Sequence, residues 1–313
     1  MDFGWHLPCY GSLATRQNLI LVAREAEARG FESVFVSDHV ALPFDSRTPY
    51  GGSRSGAFPI PPTDAFLEPL TALALVAAVT ERVKLGTTVL VLPHRHPVLA
   101  AKTIATLDSL SGGRVIVGAG VGWLREEIEL FGVPYERRGA WSDEALGAMK
   151  RCWADERSKH AGEFFHFDDV GCYPKPAQKP YPPIWIGGRS PAAYRRVARF
   201  GDGFHAAWSA PDVMREQIRE VWKACGEVGR LGTDLTFSVR AGYNIREQPP
   251  QDSAPGPAMA SLSGPPTFIA EQIARYADVG VSHIVLEAPL RDLDQHLSLM
   301  RRFSEDIRPL ADA

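Results

Sequence analysis

The sequence predicts an α/β fold, a single (β/α)8 TIM barrel domain that covers residues 1–313. Short apolar runs with strand composition alternate with amphipathic helical segments along the whole chain, and eight such strands can be counted. These runs are nearly continuous, which is typical of parallel strands buried on both faces. An open doubly wound sheet is the alternative arrangement for the same pattern.

The clearest unit of this pattern lies between Leu85 and Trp123. Its parts are a strand-like run at 85–93, a helical segment with apolar Leu99, Ile104, Leu107 and Leu110 that stops at 111–113, and a second strand at 114–118. Strand, helix and strand in one compact piece form a βαβ unit. Because ligands of parallel α/β folds bind at the carboxyl ends of strands, we expect the active site after Val89 and after Gly120.

The other elements follow in chain order. Strands are predicted at 3–8, 33–36, 183–186, 203–206, 235–245 and 283–286. Helices are predicted at 15–29 (closed by Gly30), 68–80, 141–153, 191–199, 213–228, 268–279 and 293–303.

Insertions are predicted after strands 2, 4 and 7. The first, 41–64, is rich in Pro, Gly and Ser, and its place at a strand's carboxyl end predicts a lid over the site. The second contains a short charged helical segment at 124–138 and a small hairpin within 156–182. The third, 248–266, is a Pro/Ala/Ser/Gly segment that we expect to be mobile.

Composition and charge exclude several classes of partner. The chain has 45% hydrophobic and 23% charged residues and a net charge of −3 without a basic stripe, so neither nucleic acid nor a membrane is an expected partner. The longest apolar stretch, Leu70 to Val79, is too short to span a bilayer, and no secretory signal is visible. The scattered cysteines are typical of reduced thiols in a cytoplasmic protein; they are Cys9, Cys152, Cys172 and Cys225.

Asp38 and His39 end the second predicted strand, beside the long loop. Histidine is the side chain most easily set near neutral pH, so His39 can donate or accept a proton beside a reacting carbon. Asp38 can accept a hydrogen bond from a ligand or orient His39. A loop pair that only caps the next segment is an equally good interpretation.

Two glycine-rich turns follow predicted strands. The turn at 118–122 lacks the third glycine and the acidic residue of a dinucleotide-binding loop, so it indicates only a close approach of backbone to something bulky. The turn at 187–191 opens a helix, where free N–H groups, a Ser190 cap and the Arg189 charge predict an anion site. A plain capped helix start is the alternative. The other histidines show no metal-ligand spacing, so no metal site is predicted.

Several motifs together resemble one family. They are Ser37-Asp38-His39, 85–97, 105–114, 118–123, Arg138-Gly139, 173–176, 186–188 and Gly201-Asp202-Gly203. The set resembles the bacterial luciferase-like monooxygenase superfamily, and within it the oxidoreductases that use the deazaflavin coenzyme F420. The resemblance covers nearly the whole chain, and many of the motifs are shared by the flavin and deazaflavin branches.

The resemblance implies a cofactor ring at the carboxyl face of the barrel, backed by a cis peptide bond between Thr88 and Val89. It implies a catalytic His39 near the hydride-transfer carbon. The implied cofactor-binding residues are Asp38, His39, Thr88, Val89, Gly120, Val121, Gly122, Trp123, Gly187, Gly188, Arg189 and Ser190. Trp123 stands where the sugar-phosphate dehydrogenases of the family have an acidic residue, which favours a more apolar substrate.

The expected function is therefore hydride transfer between coenzyme F420 and a small, apolar organic substrate, carried out by a cytoplasmic homodimer. One alternative is an FMN-dependent monooxygenase that receives reduced flavin from a separate reductase. The other is a non-catalytic barrel that only binds a flavin-like ligand. The sequence names neither the substrate nor the direction of hydride transfer.

Overall fold

A computed structural model describes residues 1–53, 55–249 and 261–311, and eight of its strands close into a parallel barrel. The strands of the described residues are β1 (Asp2–His6), β2 (Ser33–Val36), β3 (Lys84–Thr87), β4 (Leu90–Val91), β5 (Val115–Gly120), β6 (Ser158–Ala161), β7 (His166–Val170), β8 (Ile184–Gly187), β9 (Gly203–Ala207), β10 (Thr236–Ile245), β11 (Ser261–Gly264) and β12 (His283–Glu287). The barrel order is β1-β2-β3-β5-β8-β9-β10-β12, and the pairing of β12 with β1 closes it. The predicted (β/α)8 barrel is confirmed, because an open doubly wound sheet would leave two edges unpaired.

Helices follow the barrel strands and pack on their outer faces. They are α1 (Arg16–Ala28), α2 (Pro69–Ala77), α3 (Pro97–Ser111), α4 (Arg125–Leu130), α5 (Arg138–Ala154), α6 (Pro191–Phe200), α7 (Pro211–Glu227), α8 (Pro266–Asp278), α9 (Leu293–Arg302) and α10 (Arg308–Ala311), with a π-helical turn at Phe303–Ile307 between the last two. Each predicted helix is present, with ends displaced by a few residues. Local signals explain the ends: Thr15 caps α1, and Gly112 at φ +71° ends α3.

The apolar face predicted for α3 is partly wrong. Ile104 and Leu107 are buried, but Leu99 and Leu110 are 62% and 79% exposed. Alanines at 100, 101 and 105 complete the buried face, because α3 lies close to β5 and α5 and small side chains permit that approach.

The predicted single strand at 85–93 is also wrong in detail. β3 ends at Thr87, the peptide bond between Thr88 and Val89 is cis as predicted, and β4 then resumes pairing with β5. The ladder is interrupted at this bulge, so Thr88 and Val89 project at the carboxyl end of the barrel, where they border the main cavity.

The insertions lie after the second, fourth and seventh barrel strands, as predicted. The second insertion contains α4, α5 and the antiparallel hairpin of β6 and β7. In the third, Ser261–Gly264 pairs with β10 as a parallel strand that the sequence did not predict, while 250–260, where mobility is also expected, lie outside the described residues. No helix in the described part of the chain is long and apolar enough to cross a membrane.

Candidate functional site

A cavity of about 1050 Å³ opens at the carboxyl ends of the barrel strands. Eleven of the predicted cofactor-binding residues line it, namely Asp38, His39, Thr88, Val89, Gly120, Val121, Gly122, Trp123, Gly187, Gly188 and Arg189. Ser190 does not line it and instead caps α6, where its Oγ accepts the N–H of Ala193 at 3.2 Å. The structure therefore brings together residues from four widely separated parts of the chain, 38–39, 88–89, 120–123 and 187–189.

His39 is held in the cavity wall by Glu127. The Nδ1 atom of His39 lies 2.6 Å from Oε2 of Glu127, and a carboxylate oxygen can only accept, so Nδ1 carries the proton and Nε2 remains for the cavity. The other oxygen of Glu127 accepts the N–H groups of Val40 and Ala41 at 2.6 and 3.0 Å. Burial raises the pKa of Glu127, but the hydrogen bonds from His39 and the backbone outweigh it and hold the pKa below its usual value.

Asp38 has a different partner from the one suggested by its position in the sequence. Arg95 donates to both of its oxygens at 2.6 and 2.9 Å, and the N–H of Val91 donates to Oδ2 at 2.8 Å. The fork of Arg95 also reaches Glu68 at 2.8 Å. Asp38 is thus occupied by a bidentate pair and does not orient His39. Its contact with Val91 instead fixes the chain just after the cis peptide.

The floor of the cavity is built around a buried pair, Arg240 and Glu287. Nε of Arg240 donates to Glu287 at 2.9 Å, and its Nη2 donates to the other carboxylate oxygen. Arg240 also donates to Oγ of Ser37 at 3.0 Å and to the carbonyl of Thr88 at 3.2 Å, while the hydroxyl of Tyr10 donates to Glu287 at 2.7 Å. Burial raises the pKa of Glu287, but the charge of Arg240 outweighs it and lowers the pKa to about 2.

Two predicted glycines make room for the side chain of Val89. A Cβ atom at Gly120 would lie 2.4 Å from one methyl group of Val89, and a Cβ atom at Gly187 would lie 2.9 Å from the other. Both contacts are shorter than real Cβ atoms tolerate. The two glycine turns therefore seat Val89 against the cavity. The side chain of Val89 is thus a bulky group that the backbone of both turns approaches closely.

The turn at 187–190 opens α6 with exposed polar backbone. Gly188 has φ +130°, a conformation that other residues rarely adopt. The guanidinium of Arg189 donates to the carbonyl of Ala207 and borders the cavity. Gly188 and the charge of Arg189 border the opening beside the start of α6, an arrangement that suits an anion.

Aromatic rings from the first insertion form the outer wall. The ring of Tyr50 lies 4.9 Å from that of Trp123, and the ring of Phe58 lies 5.4 Å from Trp123 and 4.9 Å from His39. Glu126 fixes the loop to α4 by accepting the N–H and the hydroxyl of Thr48 at 3.2 and 2.7 Å. It also accepts the N–H of Arg47 at 2.7 Å. Residues of the first insertion thus line the cavity in this structure, which is the position expected for the predicted lid.

Sequence reasoning missed several residues of this site. Arg240 is the one charged residue within 236–245, and Glu287 follows directly on the apolar part of the last strand. A charged residue inside a strand, or directly after its apolar part, indicates a side chain that faces a polar site at the carboxyl end of the barrel. Glu127 gives no such signal, because it is one of several acidic residues in a charged helical segment.

Comparison with known proteins agrees with the resemblance. Residues 1–254 match the family described as luciferase-like monooxygenase. An F420-dependent glucose-6-phosphate dehydrogenase of Nakamurella multipartita is 31% identical, over 92% of this chain and 90% of its own length.

Two solved structures share the fold over almost the full length. One is an F420-dependent secondary alcohol dehydrogenase in complex with an F420-acetone adduct, with a TM-score of 0.79 and 19% identity over 99% of this chain and 98% of that one. The other is the oxygenating constituent of 3,6-diketocamphane monooxygenase of Pseudomonas putida in complex with FMN, with a TM-score of 0.77 and 17% identity over 99% and 98%. With the barrel and the match over 1–254 in agreement, the chain belongs to the luciferase-like monooxygenase family.

Proposed function

We propose that the protein is an oxidoreductase that transfers a hydride between coenzyme F420 and a small, apolar organic substrate. The observation that carries the proposal is the position of His39 in an aromatic-walled cavity, with Nδ1 fixed by a buried carboxylate. This arrangement leaves Nε2 beside an apolar space, where it can take up or give one exchangeable proton. That is the requirement for protonating a substrate atom next to a carbon that gains a hydride.

The residues present fit a deazaflavin. The cavity of about 1050 Å³ exceeds the roughly 300–1000 Å³ usual for ligand sites, so it has room for a three-ring cofactor and a small substrate. Val89 offers an apolar surface for a flat ring, and the turn at 187–189 offers backbone donors and a cation for a phosphate. The wall of Tyr50, Phe58 and Trp123 favours an apolar substrate over a sugar phosphate.

When bound, the cofactor supplies or accepts a hydride at a ring carbon. His39 gives or takes the accompanying proton at Nε2, while Glu127 keeps the ring in one orientation. The lid, through Tyr50 and Phe58, excludes water from the reacting atoms. Arg240 and Glu287 keep the floor rigid around the carbonyl of Thr88.

A second candidate is an FMN-dependent monooxygenase supplied with reduced flavin by a separate reductase. It is favoured by the FMN complex among the structural neighbours and by the turn at 187–189, which would serve the phosphate of either cofactor. The discriminating experiment is a fluorescence titration of the purified protein with F420 and with FMN at the same salt concentration. We expect F420 to bind at least about tenfold more tightly, a difference of roughly 1.4 kcal/mol. Tighter binding of FMN would overturn the first candidate in favour of the second.

A further inference from the structure

A continuous chain of hydrogen bonds runs through the interior of the barrel. Oγ1 of Thr88 lies 2.8 Å from Nε2 of His205, and Nδ1 of His205 lies 2.9 Å from Oγ of Ser238. That hydroxyl lies 3.1 Å from Nδ1 of His283, whose Nε2 lies 2.7 Å from Oγ of Ser33. These five side chains, here called the polar chain, come from five different parts of the barrel wall.

The polar chain joins two cavities at opposite ends of the barrel. Thr88 and His205 border the large cavity at the carboxyl ends of the strands. Ser33 and His283 border a second cavity of about 460 Å³ at the amino ends, which Asp2 also lines. The polar chain therefore connects the proposed cofactor site with a separate opening on the other side of the protein.

Apolar side chains isolate the middle of the polar chain. The ring of Phe35 stacks on His205 with centroids 5.7 Å apart, and the ring of Trp185 lies 5.0 Å from His283. Together with Ile116 and Val285, these rings form an apolar cluster of their own. Burial lowers the pKa of both histidines to about 3, so both rings are neutral near neutral pH.

A neutral chain of this composition can be arranged in two ways. Each hydroxyl and each neutral imidazole donates one hydrogen bond and accepts one. In one arrangement the donors point towards Ser33, with protons on Nδ1 of His205 and Nε2 of His283. In the other they point towards Thr88, with protons on Nε2 of His205 and Nδ1 of His283. The two arrangements differ by one proton shift along every link.

We propose that the polar chain is a proton relay between the cofactor site and the cavity at the amino ends of the strands. One proton enters at Ser33, each member passes its own proton to the next, and one proton leaves from the hydroxyl of Thr88. Both imidazoles exchange tautomers, the net charge of the chain is unchanged, and no electron moves. The role rests on the proposed function: hydride transfer changes the protonation of both reactants, and His39 serves only one of them.

The decisive test reads the tautomers of the two histidines by nitrogen-15 NMR of the intact protein at neutral pH. A working relay requires complementary tautomers, so the fraction of His205 with its proton on Nε2 should equal the fraction of His283 with its proton on Nδ1. Protons on Nδ1 of both rings would overturn the proposal, because Ser238 would then accept twice and its own hydrogen would have no acceptor. A charged ring would overturn it as well. This measurement needs neither cofactor nor turnover.

A matched pair of variants tests the relay in the loaded enzyme. Ser238→Ala removes the central link, while Ser142→Ala removes an equally buried hydroxyl that has no hydrogen-bond partner among the described residues. We expect Ser238→Ala to abolish the tautomer match and to lower kcat by about tenfold or more with KM unchanged, and Ser142→Ala to do neither. Equal kcat values in both variants would overturn the relay. Failure of the wild type to react with F420 would instead count against the proposed function.

Discussion

Glu127 and His39 are 88 residues apart in the chain, yet their side chains meet through a 2.6 Å hydrogen bond in the wall of the cavity. The same carboxylate accepts the N–H groups of Val40 and Ala41, so one side chain fixes both the imidazole and the start of the lid. Because all three donors converge on a buried acceptor, the orientation of His39 is set by a residue of the second insertion.

Removing the imidazole of His39 should slow the reaction without weakening cofactor binding. We expect His39→Ala to lower kcat by roughly a hundredfold or more while the cofactor dissociation constant changes little, because a positioned acid contributes about that much. Glu127→Gln should have a smaller effect of the same kind. The measurement is steady-state kinetics beside a binding titration, with His166→Ala on the exposed β7 as control. Unchanged kcat in His39→Ala would mean that another group carries the proton.

Releasing the lid from α4 should accelerate its backbone exchange. Glu126→Ala removes the acceptor of the N–H groups of Arg47 and Thr48. We expect amide hydrogen exchange at these two residues to rise by roughly tenfold, about 1.4 kcal/mol of local opening. Glu129→Ala on the same helix, where the exposed carboxylate contacts Arg125, is the control. Slow exchange in Glu126→Ala would show that the aromatic contacts alone hold the loop.

The proposed anion site at the turn 187–190 can be tested without disturbing its backbone. A side chain at Gly188 would be strained by the φ of +130° and by a contact of 2.8 Å with Ala193, so Ser190 is the better position. Ser190→Asp keeps a good helix cap and adds a negative charge, whereas Ser190→Asn keeps the cap without the charge. We expect Ser190→Asp to weaken cofactor binding by about tenfold, roughly 1.4 kcal/mol, and Ser190→Asn to leave it unchanged. Equal affinities at low salt would place the phosphate elsewhere.

Acid should destabilise the fold through its buried histidines. Burial lowers the pKa of His6, His205 and His283 from 6.5 to about 3, so below pH 6.5 the unfolded chain binds protons that the folded chain does not. Their contribution is complete above pH 6.5 and is lost as the pH falls towards 3. Between pH 7 and 5.5 we expect each of these three histidines to lower the free energy of unfolding by about 1 kcal/mol, or roughly 3 kcal/mol together.

Urea unfolding over a pH series measures this loss directly. His6→Gln should reduce the loss of unfolding free energy between pH 7 and 5.5 by about 1 kcal/mol, while His166→Ala, at an exposed site, should leave the loss unchanged. A flat free energy between pH 7 and 5.5 would contradict the burial of neutral rings. Glu287, with its pKa lowered to about 2, adds a further loss only below pH 4.5.

The barrel was predictable because its strands are buried on both faces and therefore read as apolar runs. The break after Thr87 was not predictable from composition, since Leu85–Pro93 is apolar on both sides of it; only the family resemblance located the cis bond. The exposure of Leu99 and Leu110 was missed because alanines were not counted as part of the packed face of α3.

The candidate site was predictable where the glycines and strand ends are local features of the sequence. The pairings of Asp38 with Arg95 and of His39 with Glu127 were not, because each joins elements that meet only after the barrel closes. The polar chain was invisible for the same reason. Its histidines have no characteristic spacing, and its serines look like ordinary strand residues until the closed barrel brings the five side chains together.

Helix α4 has only six residues, and its adjacent glutamates serve different parts of the molecule: Glu126 the lid, Glu127 the imidazole. The lid can therefore be exchanged as a module. A grafted loop would bring its own contacts with the substrate. It would stay fixed to α4 if it offers two backbone N–H groups to Glu126, and His39 would keep its orientation if Val40 and Ala41 remain on Glu127. We expect a graft without N–H donors for Glu126 to change only the access of ligands to the cavity. A graft that detached Val40 and Ala41 from Glu127 should instead lower the rate of the reaction.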